Sequence, residues 1–221
     1  MKKFIYIFVA VLACAMSNSC GNNSKTNDSA LKISAEREKF IADSLAKEKA
    51  KLDSINAITV TRLKPFFTEK KDEFSDITWI KPKSAPKYRS MNGTYCYFAK
   101  KGEKVENFRF VFQYYADDWL FIKNMIFNID GENITIIPDM DTDCGYGGKI
   151  WEWCDEAVVG GNSEYSVNEE FIAKIANAKS VKVKMNGSQY YDTRTLTAEQ
   201  IKSIRDTYEY YKALGGKFTE I

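Results

Sequence analysis

The sequence predicts an α+β domain: a mainly antiparallel sheet with two C-terminal helices packed on one face, preceded by a long polar helix. Three observations carry this. Apolar runs with period-two alternation are divided by Asn92-Gly93, Asp130-Gly131 and Asn186-Gly187, pairs that supply the positive φ a tight hairpin demands. Two stretches with helical spacing and capping residues come late, around 166–175 and 197–214. Ala30 to Ile58 is rich in Ala, Lys and Glu and contains no Gly or Pro, a composition that favours helix.

The sheet is organised around Phe108–Ile137. Phe108, Phe110, Phe112 and Tyr114 alternate with Arg109, Val111, Gln113 and Tyr115, so four aromatics line one side of a strand. Burying each ring contributes on the order of 1.5–3 kcal/mol. Ala116-Asp117-Asp118 breaks the run. Trp119–Ile129 reads as a second strand, Asp130-Gly131 as a turn and Ile134–Ile137 as a third strand.

The flanking elements follow in order. Phe66–Phe74 is a charged amphipathic piece, and Ile77–Ile80 a short strand closed by Pro82 and Pro86. Thr94–Phe98 is a strand, Lys100–Glu106 a charged loop, and Pro138–Gly148 a loop by composition. Ile150–Asp155 alternates as a strand with Trp151 and Trp153 on one side. Ser166 with Glu169 forms a capping box for a helix whose apolar face is Val167, Phe171, Ile172 and Ile175. Val181–Met185 is a half-exposed strand returning through Gln189–Tyr191. Thr197 with Gln200 caps the last helix, Ile201, Ile204, Tyr208, Tyr211 and Leu214 form its buried stripe, and Gly215 takes the position just past its end. Seven or eight strands result.

Composition excludes several chemistries. The 221 residues include no histidine, which removes Ser-His-Asp and Cys-His catalysis, His-ligated zinc and an imidazole switch at neutral pH. Lys and Arg number 32 against 30 Asp and Glu, and Lys2 and Lys3 of the leader make up the difference. No basic stripe points to nucleic acid.

Met1-Lys2-Lys3 is cationic, and Phe4–Met16 is an apolar run of 13 residues, short of the roughly 20 a membrane span needs. Small residues, a Cys and then a polar run resemble a bacterial lipoprotein signal, which implies acylation of the thiol and cleavage before it. Cys20 ends the apolar run and is the preferred acceptor; Cys14, preceded by Val11-Leu12-Ala13 but lying inside the run, is the second choice. Each buried CH₂ of an acyl chain contributes about 0.8 kcal/mol, so several chains on one Cys anchor stably. The expected organisation is a signal peptide over 1–19, a flexible tether over 20–29, a helical spacer over 30–64 and a globular domain over 65–221. If helical throughout, Ala30–Ile58 reaches about 40 Å at 1.5 Å per residue. Ile41, Leu45, Leu52 and Ile55 fall near a 3.5 spacing with Glu48 interrupting the seam, so a short coiled coil is the alternative to a monomeric spacer. Pro65 ends or kinks the helix before it.

Asp139, Asp141 and Asp143 occupy positions 1, 3 and 5 of a calcium loop, although Cys144 stands at position 6 in place of Gly and Ile150 at position 12 in place of Glu. The bland reading is a solvated acidic turn. Cys144 and Cys154 lie ten residues apart across a Gly-rich loop, where a disulfide would contribute on the order of 2–3 kcal/mol. Cys96 is expected buried as a small hydrophobe. Asp117, Asp118, Glu152, Asp155 and Glu156 supply carboxylates of the type glycoside hydrolysis uses, though acids in turns are far commoner. Trp119, Trp151, Trp153, Tyr190 and Tyr191 form either a sugar- or peptide-binding platform or core.

The segments DEFSDITWI (Asp72–Ile80), YYADDWLFI (Tyr114–Ile122), IWEW (Ile150–Trp153), VKVKMNGSQYYD (Val181–Asp192) and LTAEQIKSI (Leu196–Ile204) together resemble a family of bacterial exported or phage-associated domains. The resemblance spans about residues 65–216, implies one compact domain and carries no catalytic motif. The expectation is therefore a lipid-anchored protein at the outer membrane or periplasmic face of the bacterial envelope, binding an envelope protein or glycan without catalysis. A carboxylate-based glycan hydrolase and an oligomerising structural spacer are the alternatives.

Overall fold

Helix formers without a breaker give one long helix, α1 (Ser24–Leu63). The computed structural model describes residues 24–145, 147–161 and 165–219; the leader, with Cys14 and Cys20, lies outside them. The chain divides into two units, residues 1–50 and 51–221. In the first, α1 leaves Phe40, Ile41 and Leu45 exposed. In the second, Leu52, Ile55 and Ile58 are exposed, while Val60 packs on the core and Leu63 is fully buried. Pro65 stops the helix as expected, in a 3-10 turn over Lys64–Phe66. Among the described residues no helix is long and apolar enough to cross a membrane.

The second unit is α+β. Its strands are β1 (Phe67–Lys71), β2 (Ile77–Pro82), β3 (Gly93–Lys101), β4 (Lys104–Ala116), β5 (Asn124–Ile129), β6 (Glu132–Ile136), β7 (Asp141–Cys144), β8 (Ile150–Ala157), β9 (Val181–Asn186) and β10 (Tyr191–Thr195). All ladders are antiparallel. They divide into a six-stranded sheet, β1-β2-β3-β4-β8-β7, and a four-stranded one, β10-β9-β5-β6. Two helices follow, α2 (Glu169–Asn177) and α3 (Ala198–Ala213).

The alternation in β4 sets the layers. Phe108, Phe110, Phe112 and Tyr114 are all buried in the core. Phe127 of β5 meets Phe110 and Phe112, with centroids 6.1 and 6.4 Å apart, and Phe171 of α2 stands edge-on to Phe110 and Phe127. Tyr211 of α3 stands edge-on to Phe98 and Phe108 at 5.4 and 5.0 Å. The inner face of the large sheet is thus covered by the small sheet at one end and by the C-terminal helices at the other.

Local signals hold where the chain alone decides. Asp130 (φ 50°) and Gly131 (φ 100°) make the expected tight hairpin turn. Thr197 and Gln200 form a reciprocal capping box, and Gly215 (φ 88°) closes α3. Several expectations change: the strands number ten in place of seven or eight, and the Pro138–Gly148 loop contains β7. Phe67–Lys71 is a strand, pairing with β2. Lys100–Glu106 is not a loop: β3 and β4 both run to a tight turn at Gly102 (φ 56°). Asn92-Gly93 is not a hairpin turn, because residues 83–92 form a long connection that folds back across the sheet. Trp119–Ile129 is a strand only from Asn124. The cap of α2 is Asn168, accepting from Phe171 N at 2.9 Å, in place of Ser166. A parallel bridge between Val159 and Asn168 holds Asn168 extended, so the helix starts two residues later than a Ser166–Glu169 box requires.

Candidate functional site

The strand residues that point away from the core build the site. Opposite the Phe108–Tyr114 face, β4 carries Arg109, Val111, Gln113 and Tyr115; register places Tyr97 beside Arg109 and Tyr95 beside Val111, with Asp155 on the other flank of Val111 and Trp153 beside Gln113. Trp79 of β2 continues the row, with its ring 5.5 Å from that of Tyr97. This outer face is therefore aromatic and charged, and no helix covers it.

The 83–92 connection covers part of it. One end is pinned by Lys83, whose N–H donates to Phe66 O at 2.9 Å, and by Ser84, whose hydroxyl donates to that of Ser203 at 2.9 Å. The other is pinned by Asn92, whose Oδ1 accepts from Tyr115 N and from Arg194 Nη1. Between them the Arg89 guanidinium lies 4.4 Å over the Trp153 ring. Gly93 permits the fold-back: a Cβ there would collide with Pro86 and crowd Gln113 Oε1.

A hollow of about 370 Å³ remains between connection and sheet. Tyr95, Tyr97 and Gln113 floor it, and Trp79, Lys81, Pro86, Lys87, Tyr88, Arg89 and Asp155 wall it. Asp155 is fully engaged, accepting from Tyr97 OH at 2.7 Å and from Arg109 Nε at 2.6 Å. Lys81, Lys87 and Arg89 form no salt bridge among the described residues. The Lys81 ammonium sits 4.5 Å over the Tyr95 ring. Burial lowers its pKa, with Asp155 opposing and Arg89 reinforcing the shift. Burial raises the Tyr97 hydroxyl, and its bond to Asp155 raises it further. Gln113 is 2% exposed, and its Oε1 has no hydrogen-bond partner.

No family model, curated protein or solved structure matches the chain.

The acids singled out by sequence are each spoken for. Glu152 is fully buried on the core side of β8, where its carboxylate accepts the N–H groups of Leu120 and Phe121 on one oxygen and of Ile122 on the other, at 2.7–2.8 Å. Asp117 pairs with Lys149, Asp118 caps Trp119 N, and Glu156 accepts from Asp139 N. The aromatic platform is split. Trp153 lies under Arg89 on the outer face, and Trp151 packs close to Gly145. Trp119 stacks on Phe121 at 5.4 Å and 11°, and its carbonyl accepts from Tyr190 OH at 2.7 Å. Tyr191 is exposed beneath Lys184, whose ammonium is 4.2 Å from the ring centroid.

Asp139, Asp141 and Asp143 are exposed, and the last two lie in β7. An extended strand sets alternate residues on one face roughly 7 Å apart, in place of the tight loop that the calcium pattern implies. Among the described residues no group of three or more Cys, Asp or Glu could hold a metal ion. Cys144 and Cys154 are free thiols, not the expected bridge. The ladder sets Cys144 opposite Ile150, four residues and roughly 13 Å along β8 from Cys154, against a limit near 7 Å between bridged Cα atoms. Cys96 and Cys154 are buried, and burial pushes both thiols up.

Sequence reasoning did not single out Trp79, Lys81, Arg89, Tyr95 or Gln113. The signal was present in β3 and β4. Polar Arg109 and Gln113 alternate with the core phenylalanines, which marks a second face that is neither core nor plain solvent surface.

Proposed function

We propose that the chain is a lipid-anchored protein of the bacterial cell envelope whose globular domain is a non-catalytic binding module. The carrying observation is the hollow on the outer face, where three cations without carboxylate partners surround an aromatic floor. Ligand sites combine apolar walls with a few convergent polar groups, and cations left unpaired beside aromatic rings suit an anionic partner. The engagement of Glu152, Asp155, Asp117, Asp118 and Glu156 in structural bonds supports binding over hydrolysis. The leader, with Cys20 as acceptor, supports the anchor, and the resemblance to exported domains agrees with it.

The test is co-sedimentation of the intact chain in detergent with purified envelope fragments. Retention that is lost in Lys87→Gln/Arg89→Gln supports the reading, and equal retention of both proteins rejects it. For the anchor, Cys20→Ala abolishes incorporation of a fatty-acid label and Cys14→Ala leaves it; the reverse pattern moves the acceptor to Cys14.

Oligomerisation through α1 is a second reading, favoured by the exposure of Ile41, Leu45, Leu52 and Ile55. Such a seam buries itself against a second copy. Cross-linking that survives Leu45→Glu/Leu52→Glu would remove this reading.

A further inference from the structure

We propose that the outer-face hollow binds an anionic sugar, a hexose-sized ring carrying a carboxylate or a phosphate. This rests on the binding-module reading and names its ligand class.

Three features of the hollow converge on that chemistry. The floor and near wall are rings: Tyr95 and Tyr97 with centroids 6.4 Å apart, and Trp79 5.5 Å beyond Tyr97. Trp79 and Tyr97, tilted 59° to each other, form an angled apolar wall against which one face of a pyranose can pack. Lys81, Lys87 and Arg89 bring three positive charges against one carboxylate, Asp155, which is itself paired with Arg109. That charge selects an acidic substituent. Gln113 Oε1 is a buried acceptor lacking a donor among the described residues, and an unmade bond of this kind is unfavourable. A sugar hydroxyl or amide N–H supplies the missing donor.

Access to Gln113 needs one movement. Its amide oxygen is shut in beside Pro86, which closes over it because Gly93 has no side chain. Pro86 lies between the pinned residues Ser84 and Asn92, and the intervening Lys87, Tyr88 and Arg89 are exposed. Lifting the connection breaks the Lys81 Nζ to Pro86 O contact at 3.5 Å and takes Arg89 off the Trp153 ring, but it leaves the ladders below paired.

An acidic peptide fits less well. The hollow lies on a face, over inner strands β2, β3 and β4, whose backbone groups are committed to the β1–β2, β2–β3, β3–β4 and β4–β8 ladders. An extended peptide gains affinity by pairing with a free sheet edge, and this face offers none.

The experiment is calorimetric titration of the intact chain in detergent, with tryptophan fluorescence reporting on Trp79. The probes are glucuronic acid, glucose 6-phosphate, glucose and acetyl-diglutamate. At least one acidic sugar is expected to bind about tenfold or more tighter than glucose, and the uronic-acid and phosphate arms show which anion is preferred. Lys87→Gln/Arg89→Gln changes two exposed side chains and should erase that preference with the far-ultraviolet dichroism and melting temperature unchanged. Gln113→Met should weaken acidic sugars and glucose alike. Equal binding of glucose, tighter binding of acetyl-diglutamate, or no binding of any sugar overturns the proposal. Envelope sedimentation that depends on Arg89 while no sugar binds overturns the sugar and leaves the binding module standing.

Discussion

Glu152 holds Phe121 in a left-handed backbone: its carboxylate accepts Phe121 N at 2.8 Å, and Phe121 has φ 52°. The same carboxylate takes the N–H groups on either side, so residues 120–122 wrap one buried anion. A bulky residue at positive φ is unfavourable alone, and three charge-assisted bonds offset it. Glu152→Gln presents one acceptor and an NH₂ that faces N–H donors. The expected loss is about 2–3 kcal/mol, read by urea unfolding, with faster amide exchange at 120–122. A variant as stable as the parent would show that the three bonds do not hold the segment.

Gln113→Met should act in the opposite direction on stability. It removes a buried acceptor without a partner and keeps an unbranched side chain of similar volume. A gain of about 1 kcal/mol is expected, or roughly 2–4 °C in melting temperature for a chain of this length. Differential scanning calorimetry decides it, and a fall in melting temperature would mean that the amide contributes net stability.

Arg194 ties the small sheet to the large one. Its guanidinium lies 4.4 Å over Phe112 and donates to Asn92 Oδ1, Gln113 O, Gly93 O and Thr94 Oγ1, with no carboxylate in contact. Burial pulls its pKa down to about 10, while Asp192 and Tyr114 oppose the shift. Arg194→Met should cost about 3 kcal/mol, because several oxygens lose their donor in one step. Arg194→Lys should recover less than half of that, since a point charge cannot span the four acceptors. Chemical denaturation of both variants tests this, and a fully stable Lys variant would contradict it.

Alkali should unfold the domain within a defined window. Burial pushes Tyr95, Tyr114 and Tyr211 up to about 12, against about 10 in the unfolded chain. A raised folded-state pKa contributes stability that is fully present below pH ~10 and is lost as pH climbs through ~12. Tyr97, raised by burial and its bond to Asp155, adds to this, while Arg194, lowered to about 10, and Lys81, lowered by burial, work against it. Tyrosinate absorbance followed beside circular dichroism should show a lagging fraction that ionises only as the fold is lost. Uniform ionisation near pH 10 with the dichroism intact would contradict the assignment.

How much was legible in the sequence follows from where each cause lies. Asp130-Gly131, Thr197 with Gln200, and Gly215 act within three residues of themselves, and each does what its chemistry dictates. The break before Asn124 is caused by Glu152, about thirty residues away, so an apolar run looked like continuous strand. The cap of α2 moved to Asn168 because a bridge from Val159 fixed the backbone first. The hollow needed the register of β3, β4 and β8 and the fold-back allowed by Gly93, and no local pattern contains either. The core face was legible because four rings at spacing two have only one side to share.

The order in which the strands enter the two sheets has a kinetic consequence. β5 pairs at once with β6 but lacks its other neighbour until β9 arrives some fifty residues later, while β7 and β8, made in between, join the other sheet. Phe98 and Phe108 stay uncovered until Tyr211, near the end of the chain, docks on them. The strands of the large sheet are all made by Ala157, but its inner face is covered only once the small sheet and α3 are complete. Such non-local pairing slows folding, and it leaves the apolar inner face of the large sheet open until the last helix is made.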